Sequence, residues 1–255
     1  MDTPARFVTS IHLDQSKITE PRQYPFDLPA VKALSDLVLH PAVTFFVGEN
    51  GTGKSTLLEA IAVGLGMNAE GGSSNFNFGT RSSHSPLHEH LRIRRTTSNP
   101  TTRWFLRAES FYNVASNIEE LDRIGGGPPI INSYGGRSLH EQSHGESFFA
   151  LFKNRFGAKG LYLLDEPEAA LSPSRQLAFL ALLHDYDLEG SQLIIATHSP
   201  IIMAYPNAWT YVFDARGITR MSYDQTEHFK LTREFLNNPT RLLPILFGQD
   251  GERAD

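Results

Sequence analysis

The sequence predicts an α/β fold in which a mainly parallel central sheet is covered by helices. Two runs of strand length, residues 161–164 and 193–196, are entirely apolar. A strand without a polar face is typical of a parallel sheet that is buried on both sides. A third run, residues 42–47, is rich in β-branched and aromatic residues and leads through glycines into a helical pattern. Such alternation of strands and helices is typical of α/β proteins.

The first hundred residues contain the elements around this glycine-rich turn. Residues 6–13 alternate sufficiently to predict a strand. Apolar residues recur at helical spacing from Lys54 and predict an amphipathic helix that ends near Gly64. Residues 68–100 are rich in Gly, Ser, Asn, Thr and His, with a weak strand-like piece at residues 91–94. We therefore expect a long loop or a hairpin insertion there.

The second half of the chain is predicted to contain several helices and a hairpin. We expect helices over three segments, residues 110–124, 146–156 and 173–186. Ser172 offers a capping hydroxyl before Pro173, which occupies the first helical position of the last segment. A hairpin is expected around Gly217, and helical segments are expected beyond Thr226.

The composition predicts a compact protein without a membrane span. Of the 255 residues, 40% are apolar and 20% are charged, which is ordinary for a globular protein. No apolar run approaches the roughly 18 to 20 residues that a membrane span needs. The first residues do not resemble a secretory signal, and we expect a cytoplasmic location. The absence of cysteine excludes disulfides, and the net charge of −5 argues against nucleic-acid binding through global positive charge.

The chain contains a complete phosphate-binding loop. Residues 48–55, Gly-Glu-Asn-Gly-Thr-Gly-Lys-Ser, match the pattern G-x-x-x-x-G-K-[ST]. Its glycines let successive backbone N–H groups point at phosphates, and the helix that follows adds the positive end of its dipole. Lys54 can reach the β- and γ-phosphates, and the Ser55 hydroxyl suits Mg²⁺. The residues expected to hold the nucleotide are Gly48, Glu49, Asn50, Gly51, Thr52, Gly53, Lys54, Ser55 and Thr56.

Two acids and a histidine follow the apolar strands at one predicted edge of the sheet. Asp165 and Glu166 come directly after the first apolar strand, and His198 comes shortly after the second. Ligands bind at the carboxyl ends of parallel strands. We expect Asp165 to hold Mg²⁺ and Glu166 to polarise the attacking water as a general base, while His198 contacts the γ-phosphate or orients the water. The candidate catalytic residues are therefore Glu166, His198 and Lys54.

The order of these motifs resembles the ATP-binding-cassette (ABC) superfamily of P-loop ATPases, and the resemblance covers residues 48–200. Residues 168–173 look like the loop that touches the opposite subunit. Residues 142–146, Gln-Ser-His-Gly-Glu, are similar to the family signature Leu-Ser-Gly-Gly-Gln. In the family this signature caps the γ-phosphate of ATP bound to another subunit. The resemblance thus implies that the nucleotide of a second copy is contacted by Ser143, Gly145 and Glu146.

The resemblance implies hydrolysis of ATP with Mg²⁺ in a head-to-tail homodimer that closes on binding and opens on hydrolysis. The implied fold is an ABC-type ATPase core with an N-terminal antiparallel β part and a small helical subdomain. We expect one domain over residues 1–255, with a polar insertion at about 68–100. Residues 1–107 and 157–255 would form the core and residues 108–156 the helical signature subdomain. The motifs also look like those of small stand-alone bacterial ATPases related to recombination and chromosome-maintenance ATPase heads.

Several family positions are altered in this chain. His144 replaces the first signature glycine, and Glu146 replaces the signature glutamine. The glutamine that commonly contacts Mg²⁺ between the first two motifs is missing, and Glu109 looks like the nearest substitute. Phe7 and Tyr24 lie upstream, where the family places an aromatic that stacks on adenine, but we expect both to pack in the core.

Three functions use the same chemistry and stay open at this point. We favour a soluble ATP-driven switch that acts on an unknown protein partner. The alternatives are the nucleotide-binding subunit of an ABC membrane transporter and a DNA-associated repair or defence ATPase. Nucleic-acid binding is not favoured, because arginines on a strand pair are more often a solvated face than a phosphate contact; the five concerned are Arg92, Arg94, Arg95, Arg103 and Arg107. Three histidines, His84, His88 and His90, lie in the predicted polar loop, and we expect them to be exposed to solvent rather than to form a metal cluster.

Overall fold

The computed structural model describes residues 6–69, 71–73, 85–108, 122–123, 131–132, 136 and 144–248. Within these ranges the chain forms two sheets. The larger has seven strands, and in spatial order these are β10 (Gly217–Met221), β9 (Ala208–Asp214), β3 (Val43–Gly48), β8 (Gln192–Ala196), β7 (Leu161–Asp165), β6 (Arg103–Arg107) and β4 (Gly72–Ser73). The five inner strands run parallel, and the edge strands β10 and β4 are antiparallel to their neighbours. The predicted mainly parallel sheet is confirmed.

The smaller sheet has three antiparallel strands in the order β2 (Asp36–Val38), β1 (Val8–Leu13) and β5 (Leu91–Arg95). It confirms the antiparallel β part implied by the family resemblance. The strand-like piece predicted at residues 91–94 does form β5, but it pairs with the distant β1 and is not part of a local hairpin. Ile93 faces the core beside Gly64, where an added Cβ would lie only 2.8 Å from its Cδ1 atom.

Six α-helices lie entirely within the described residues, namely α1 (Pro29–Lys32), α2 (Lys54–Gly64), α3 (His144–Arg155), α4 (Pro173–Leu188), α5 (Glu227–Asn237) and α6 (Pro239–Leu246). They confirm the helices predicted from Lys54, near residues 146–156 and from Pro173. The helix predicted at residues 110–124 lies outside the described residues, apart from residues 122–123. Ser172 occupies the N-cap of α4, but its hydroxyl lies 3.1 Å from the Ser174 hydroxyl and caps no helix N–H, so that part of the prediction was wrong.

The three central strands of the large sheet, β3, β8 and β7, are buried at every position because both faces of the sheet are covered. On β3, Phe45 belongs to a cluster with Phe148 of α3 and Phe179 of α4, whereas its neighbour Phe46 faces a second cluster that includes Leu58 of α2. The second cluster also contains the inward residues of the small sheet. Because the second cluster joins side chains of α2 with side chains of both sheets, α2 lies between the two sheets.

Gln192 at the start of β8 joins the two sheets. Its side chain is fully buried. The amide oxygen accepts from the N–H groups of Phe7 (3.2 Å) and Val8 (2.9 Å), and the amide nitrogen donates to the carbonyl oxygens of Val8 (2.8 Å) and His40 (3.0 Å). A single polar side chain therefore satisfies four backbone groups that are removed from water.

None of the helices in the described ranges is long and apolar enough to cross a membrane.

Candidate functional site

The strands that precede the predicted site residues end at the same edge of the large sheet. β8 lies between β3 and β7, and the register pairs Ala196 with Phe46 on one side and with Asp165 on the other. Glu166 donates its backbone N–H to the Ala196 carbonyl oxygen at 2.9 Å. The phosphate loop, the acidic pair and His198 are thus brought together, as the sequence predicts.

The loop between β3 and α2 needs its glycines. Gly48 and Gly51 have positive φ angles of 150° and 77°, which side chains rarely adopt. A Cβ on Gly48 would also lie 2.2 Å from the Phe213 carbonyl oxygen on the neighbouring strand. These two positions let the loop turn back over the first turn of α2, and such a loop is typical of an anion site.

Lys54 places a buried ammonium group inside this loop. Its side chain is 4% exposed, and Nζ donates to the carbonyl oxygens of Gly48 (2.7 Å) and Glu49 (2.9 Å). Burial lowers the pKa of Lys54, and the negative charges of Glu166 and Asp165 act in the opposite direction. Among the described residues Lys54 forms no salt bridge. A cation that is held only by carbonyl oxygens fits a site that receives an anionic ligand.

Ser55 and Asp165 form a pair of oxygen donors beside Lys54. The Ser55 hydroxyl donates to Oδ1 of Asp165 at 2.8 Å. On its other side, Oδ2 of Asp165 lies 3.7 Å from Nε of Arg107, whose guanidinium also forms a 2.7 Å salt bridge with Glu59. No group of three or more acids, histidines or cysteines in the described residues could hold a metal by itself. This donor set fits Mg²⁺, which is held in proteins by one or two carboxylates together with substrate phosphates and water.

Glu166 and His198 face each other next to this pair. Nε2 of His198 lies 3.4 Å from Oε1 of Glu166, and the Glu166 side chain is 37% exposed. Glu166 has left-handed backbone angles, φ 52° and ψ 53°, a conformation that costs a non-glycine residue about 1–2 kcal/mol. Strain of this kind is common where a side chain must be aimed at a ligand. Burial and then the charge of Lys54 lower the pKa of His198, while Glu166 raises it, so the ring is neutral at pH 7.

Glu168 fixes the backbone of the histidine. One of its carboxylate oxygens accepts the backbone N–H of His198. Burial raises the pKa of Glu168, although that same hydrogen bond acts in the opposite direction. By the family resemblance, Glu168 lies in a loop expected to contact another subunit, and no pattern in the sequence indicates its bond to His198.

The signature-like residues are described only in part. Gly145 and Glu146 lie in the first turn of α3, against the segment that follows β7. A Cβ on Gly145 would lie 3.1 Å from the Ala170 carbonyl oxygen and 3.0 Å from the Arg175 side chain. Glu146 forms a 3.8 Å ion pair with Arg175. Ser143 and Glu109 lie outside the described residues.

The two upstream aromatic residues differ from each other. Phe7 is 6% exposed, and the prediction that it packs in the core is confirmed. Tyr24 is 61% exposed, and its hydroxyl lies 3.0 Å from Oγ1 of Thr56 on α2. The prediction of core packing is therefore wrong for Tyr24, which presents an open ring beside the phosphate loop.

The arginines do not form one basic surface. Three of them are on β5 in the small sheet, and two are on β6 in the large sheet, so the predicted strand pair is wrong. Arg92 pairs with Asp14 at 2.7 Å and Arg94 with Asp36 at 3.6 Å. In place of a flexible loop, His88 and His90 lie in a 3-10 helix, are partly buried and contact backbone carbonyl oxygens. His84 lies outside the described residues.

Comparisons with known proteins concern the family and the fold of the chain. An AAA domain model matches residues 28–121, and a second AAA domain model, whose description names an AbiEii toxin of a type IV toxin–antitoxin system, matches residues 138–204. The chain is 30% identical over 162 residues to the cytochrome c biogenesis ATP-binding export protein CcmA of Rhizobium meliloti (strain 1021), which covers 60% of the chain and 76% of that protein. It is 29% identical over 160 residues to CcmA of Mesorhizobium japonicum, covering 60% of the chain and 77% of that protein. A solved chain of a metal-chelate type ABC transporter in an inward-facing conformation shares the fold with a TM-score of 0.50 and 16% identity, over 91% of this chain and 89% of that chain.

Proposed function

Because the chain belongs to the ATP-binding-cassette superfamily of ATPases, we propose that it binds ATP with Mg²⁺ at the edge where β3, β7 and β8 end. Hydrolysis to ADP and phosphate there drives a switch that acts on a protein partner. The observation that supports this most is the convergence of three groups from distant parts of the sequence. These groups are the buried ammonium of Lys54, the oxygen pair of Ser55 and Asp165, and the facing side chains of Glu166 and His198.

The phosphate loop and Lys54 bind the triphosphate. The N–H groups of residues 51–54 and the first turn of α2 supply partial positive charge, and Lys54 exchanges its two carbonyl contacts for phosphate oxygens. The exposed ring of Tyr24 offers a stacking surface for the adenine. ATP binding thus uses two parts of one copy, namely the N-terminal segment that carries Tyr24 and the phosphate loop.

Ser55 and Asp165 hold the metal ion, and Glu109 is the proposed third contact. When bound, Mg²⁺ neutralises charge on the β- and γ-phosphates. Arg107 keeps Asp165 in place through the 3.7 Å approach to its carboxylate and is itself held by Glu59. The contacts with Asp165 and Glu59 therefore explain the position of Arg107 without any nucleic-acid contact.

Glu166 is the general base. Its carboxylate takes a proton from the attacking water, whose oxygen then bonds to the γ-phosphorus as the bond to the β-phosphate oxygen breaks. The left-handed backbone of Glu166 aims this carboxylate beyond the end of β7. His198 is neutral, and it can donate to a phosphate oxygen while its backbone stays fixed by Glu168.

A second copy completes the site in this proposal. Gly145 and Glu146 of that copy cap the γ-phosphate from the start of α3, together with Ser143, in the proposed signature subdomain of residues 108–156. Within one copy, the close packing of Gly145 on Ala170 joins the signature-like turn to the segment after Glu166. The two copies then close on each other when ATP binds and open when it is hydrolysed.

The relatives favour a second candidate function. The CcmA proteins are ATP-binding export proteins, which supports a nucleotide-binding subunit of a membrane transporter. Co-purification of the tagged chain with a membrane permease would favour that function over the switch.

Retention on DNA that weakens with added salt would favour the DNA-associated alternative.

Phosphate release and nucleotide binding test the proposal together. Lys54→Ala should remove ATP binding, because the buried cation of the cradle is lost. Glu166→Gln should still bind ATP but hydrolyse it about 10²- to 10⁴-fold more slowly, since the water loses its base. Glu189→Gln, an exposed acid at the end of α4, is the matched control and should behave as the wild type. A wild-type rate in Glu166→Gln, or wild-type ATP affinity in Lys54→Ala, would contradict these roles.

A further inference from the structure

A second histidine, His228, lies beside His198. It comes from the first turn of α5, far from every motif in the sequence. The centroids of the two imidazole rings are 5.6 Å apart. Thr226 caps this helix by accepting the N–H of Phe229 at 3.3 Å, which fixes the turn that carries His228. The ring is therefore held by a capped helix start and not by a free tail.

Charged residues of the nucleotide site act on the ring of His228. Burial lowers its pKa, and the charges that act on it come from Glu49 and Lys54 of the phosphate loop and from Glu227 of its own helix. His228 in turn lowers the pKa of His198. His228 is thus a neutral imidazole close to the cradle, with one nitrogen that can donate and one that can accept.

The helix that carries His228 is attached to the body of the protein at the segment that follows β8. Tyr223, just before α5, donates its hydroxyl to the Pro200 carbonyl oxygen at 2.8 Å, and its ring lies 4.6 Å from the ring of Phe229. Beyond the first turn, most of the helix is exposed, including Leu231 at 63%. Both attachments, to His198 and to Pro200, are made to the same short segment, so a shift of that segment would move the helix.

We propose that His228 is a positioning residue of the nucleotide site, which orients His198 toward the γ-phosphate of ATP and makes the C-terminal helix pair, α5 and α6, respond to that phosphate. This inference rests on the proposed function, because it requires ATP at the phosphate loop. ADP lacks the γ-phosphate and leaves His198 without the contact that His228 supports. The helix pair, whose two members pack on each other, then differs in mobility between the two nucleotide states.

Binding measurements with a non-hydrolysable ATP analogue and with ADP give the first test. His228→Ala should weaken binding of the analogue about tenfold, the size of one lost hydrogen bond to a charged group, and should leave ADP binding unchanged. His228→Gln retains a donor and an acceptor and should restore part of the loss. The control is Lys230→Ala, an exposed residue of the same helix whose Nζ bonds only Gln225 among the described contacts, and it should match the wild type.

Hydrogen exchange gives a readout that does not depend on activity. In the wild type and in Lys230→Ala, amides of Glu227–Asn237 should exchange more slowly with the analogue than with ADP. His228→Ala and, to a smaller extent, His228→Gln should reduce this difference. If both His228 variants keep the wild-type ratio of analogue to ADP affinity and the wild-type exchange difference, the role of His228 is overturned. In that case the proposed function still stands if Lys54→Ala abolishes binding, and it fails separately if the wild type does not bind ATP.

Discussion

Replacing Gln192 by Met should destabilise the fold strongly, although both side chains have similar length. Met removes the amide oxygen and the NH2 group, which together serve four backbone groups of Phe7, Val8 and His40. Gln192 is fully buried, so water cannot replace the lost amide without opening the junction of the two sheets. The small sheet would then lose part of its attachment beside the helix that follows the phosphate loop.

The size of the effect follows from the four bonds. Each neutral hydrogen bond contributes about 0.5–1.5 kcal/mol net, so the four bonds together contribute about 2–6 kcal/mol. For a chain of 150–250 residues, each kcal/mol shifts Tm by about 2–4 °C, which predicts a loss on the order of 10 °C.

Thermal unfolding followed by circular dichroism measures this loss. The control is Gln225→Met, because Gln225 is exposed and its side chain bonds only the side chains of Asp224 and Lys230 among the described contacts. That variant should change stability by less than about 0.5 kcal/mol. A Tm for Gln192→Met within one or two degrees of the control would refute the reasoning, since it would mean that the four backbone groups find other partners at little cost.

Two further predictions concern the site. Burial raises the pKa of Glu168, so the folded state keeps its proton at pH values where the unfolded state has lost it, and stability falls as pH rises through the folded-state pKa. Glu168→Gln should therefore raise Tm relative to the wild type at pH 8, and the difference should vanish below about pH 4; an equal difference at both pH values would contradict this. Tyr24→Ala should weaken ATP binding about fivefold or more through lost stacking, while Tyr24→Phe keeps the ring and should bind as the wild type; equal affinity of all three proteins in a fluorescence titration would exclude Tyr24 as the stacking residue.

The sequence was sufficient to predict the three central strands of the large sheet and the edge that carries the site. The strands around residues 161–164 and 193–196 are buried on both faces, so their composition alone distinguishes them from surface strands. The acids and the histidine directly after them had to emerge at one edge, because neighbouring parallel strands end together. The phosphate loop is specified locally by its glycines, and Gly48 shows why, since any side chain there would meet the Phe213 carbonyl.

Other features depend on contacts between residues far apart in the chain. Strand β5 pairs with β1, some eighty residues earlier, and its alternation of Leu and Ile with Arg is too short to predict a partner. Arg107 was grouped with four other arginines by charge, whereas its role depends on the positions of Glu59 and Asp165. His228 lies in a helix after the last motif, and only packing brings it to His198. The exposure of Tyr24 likewise follows from the path of the chain and not from its neighbours in sequence.

The association state of the Glu166→Gln variant tests the central claim most directly. Light scattering after size exclusion should show a species of twice the monomer mass with ATP and Mg²⁺, and the monomer with ADP, because two intact cradles can then be closed by two copies without hydrolysis. Adding Lys54→Ala to this variant should restore the monomer in ATP. A Glu166→Gln protein that binds ATP and yet stays monomeric at every protein concentration would contradict a site shared between two copies.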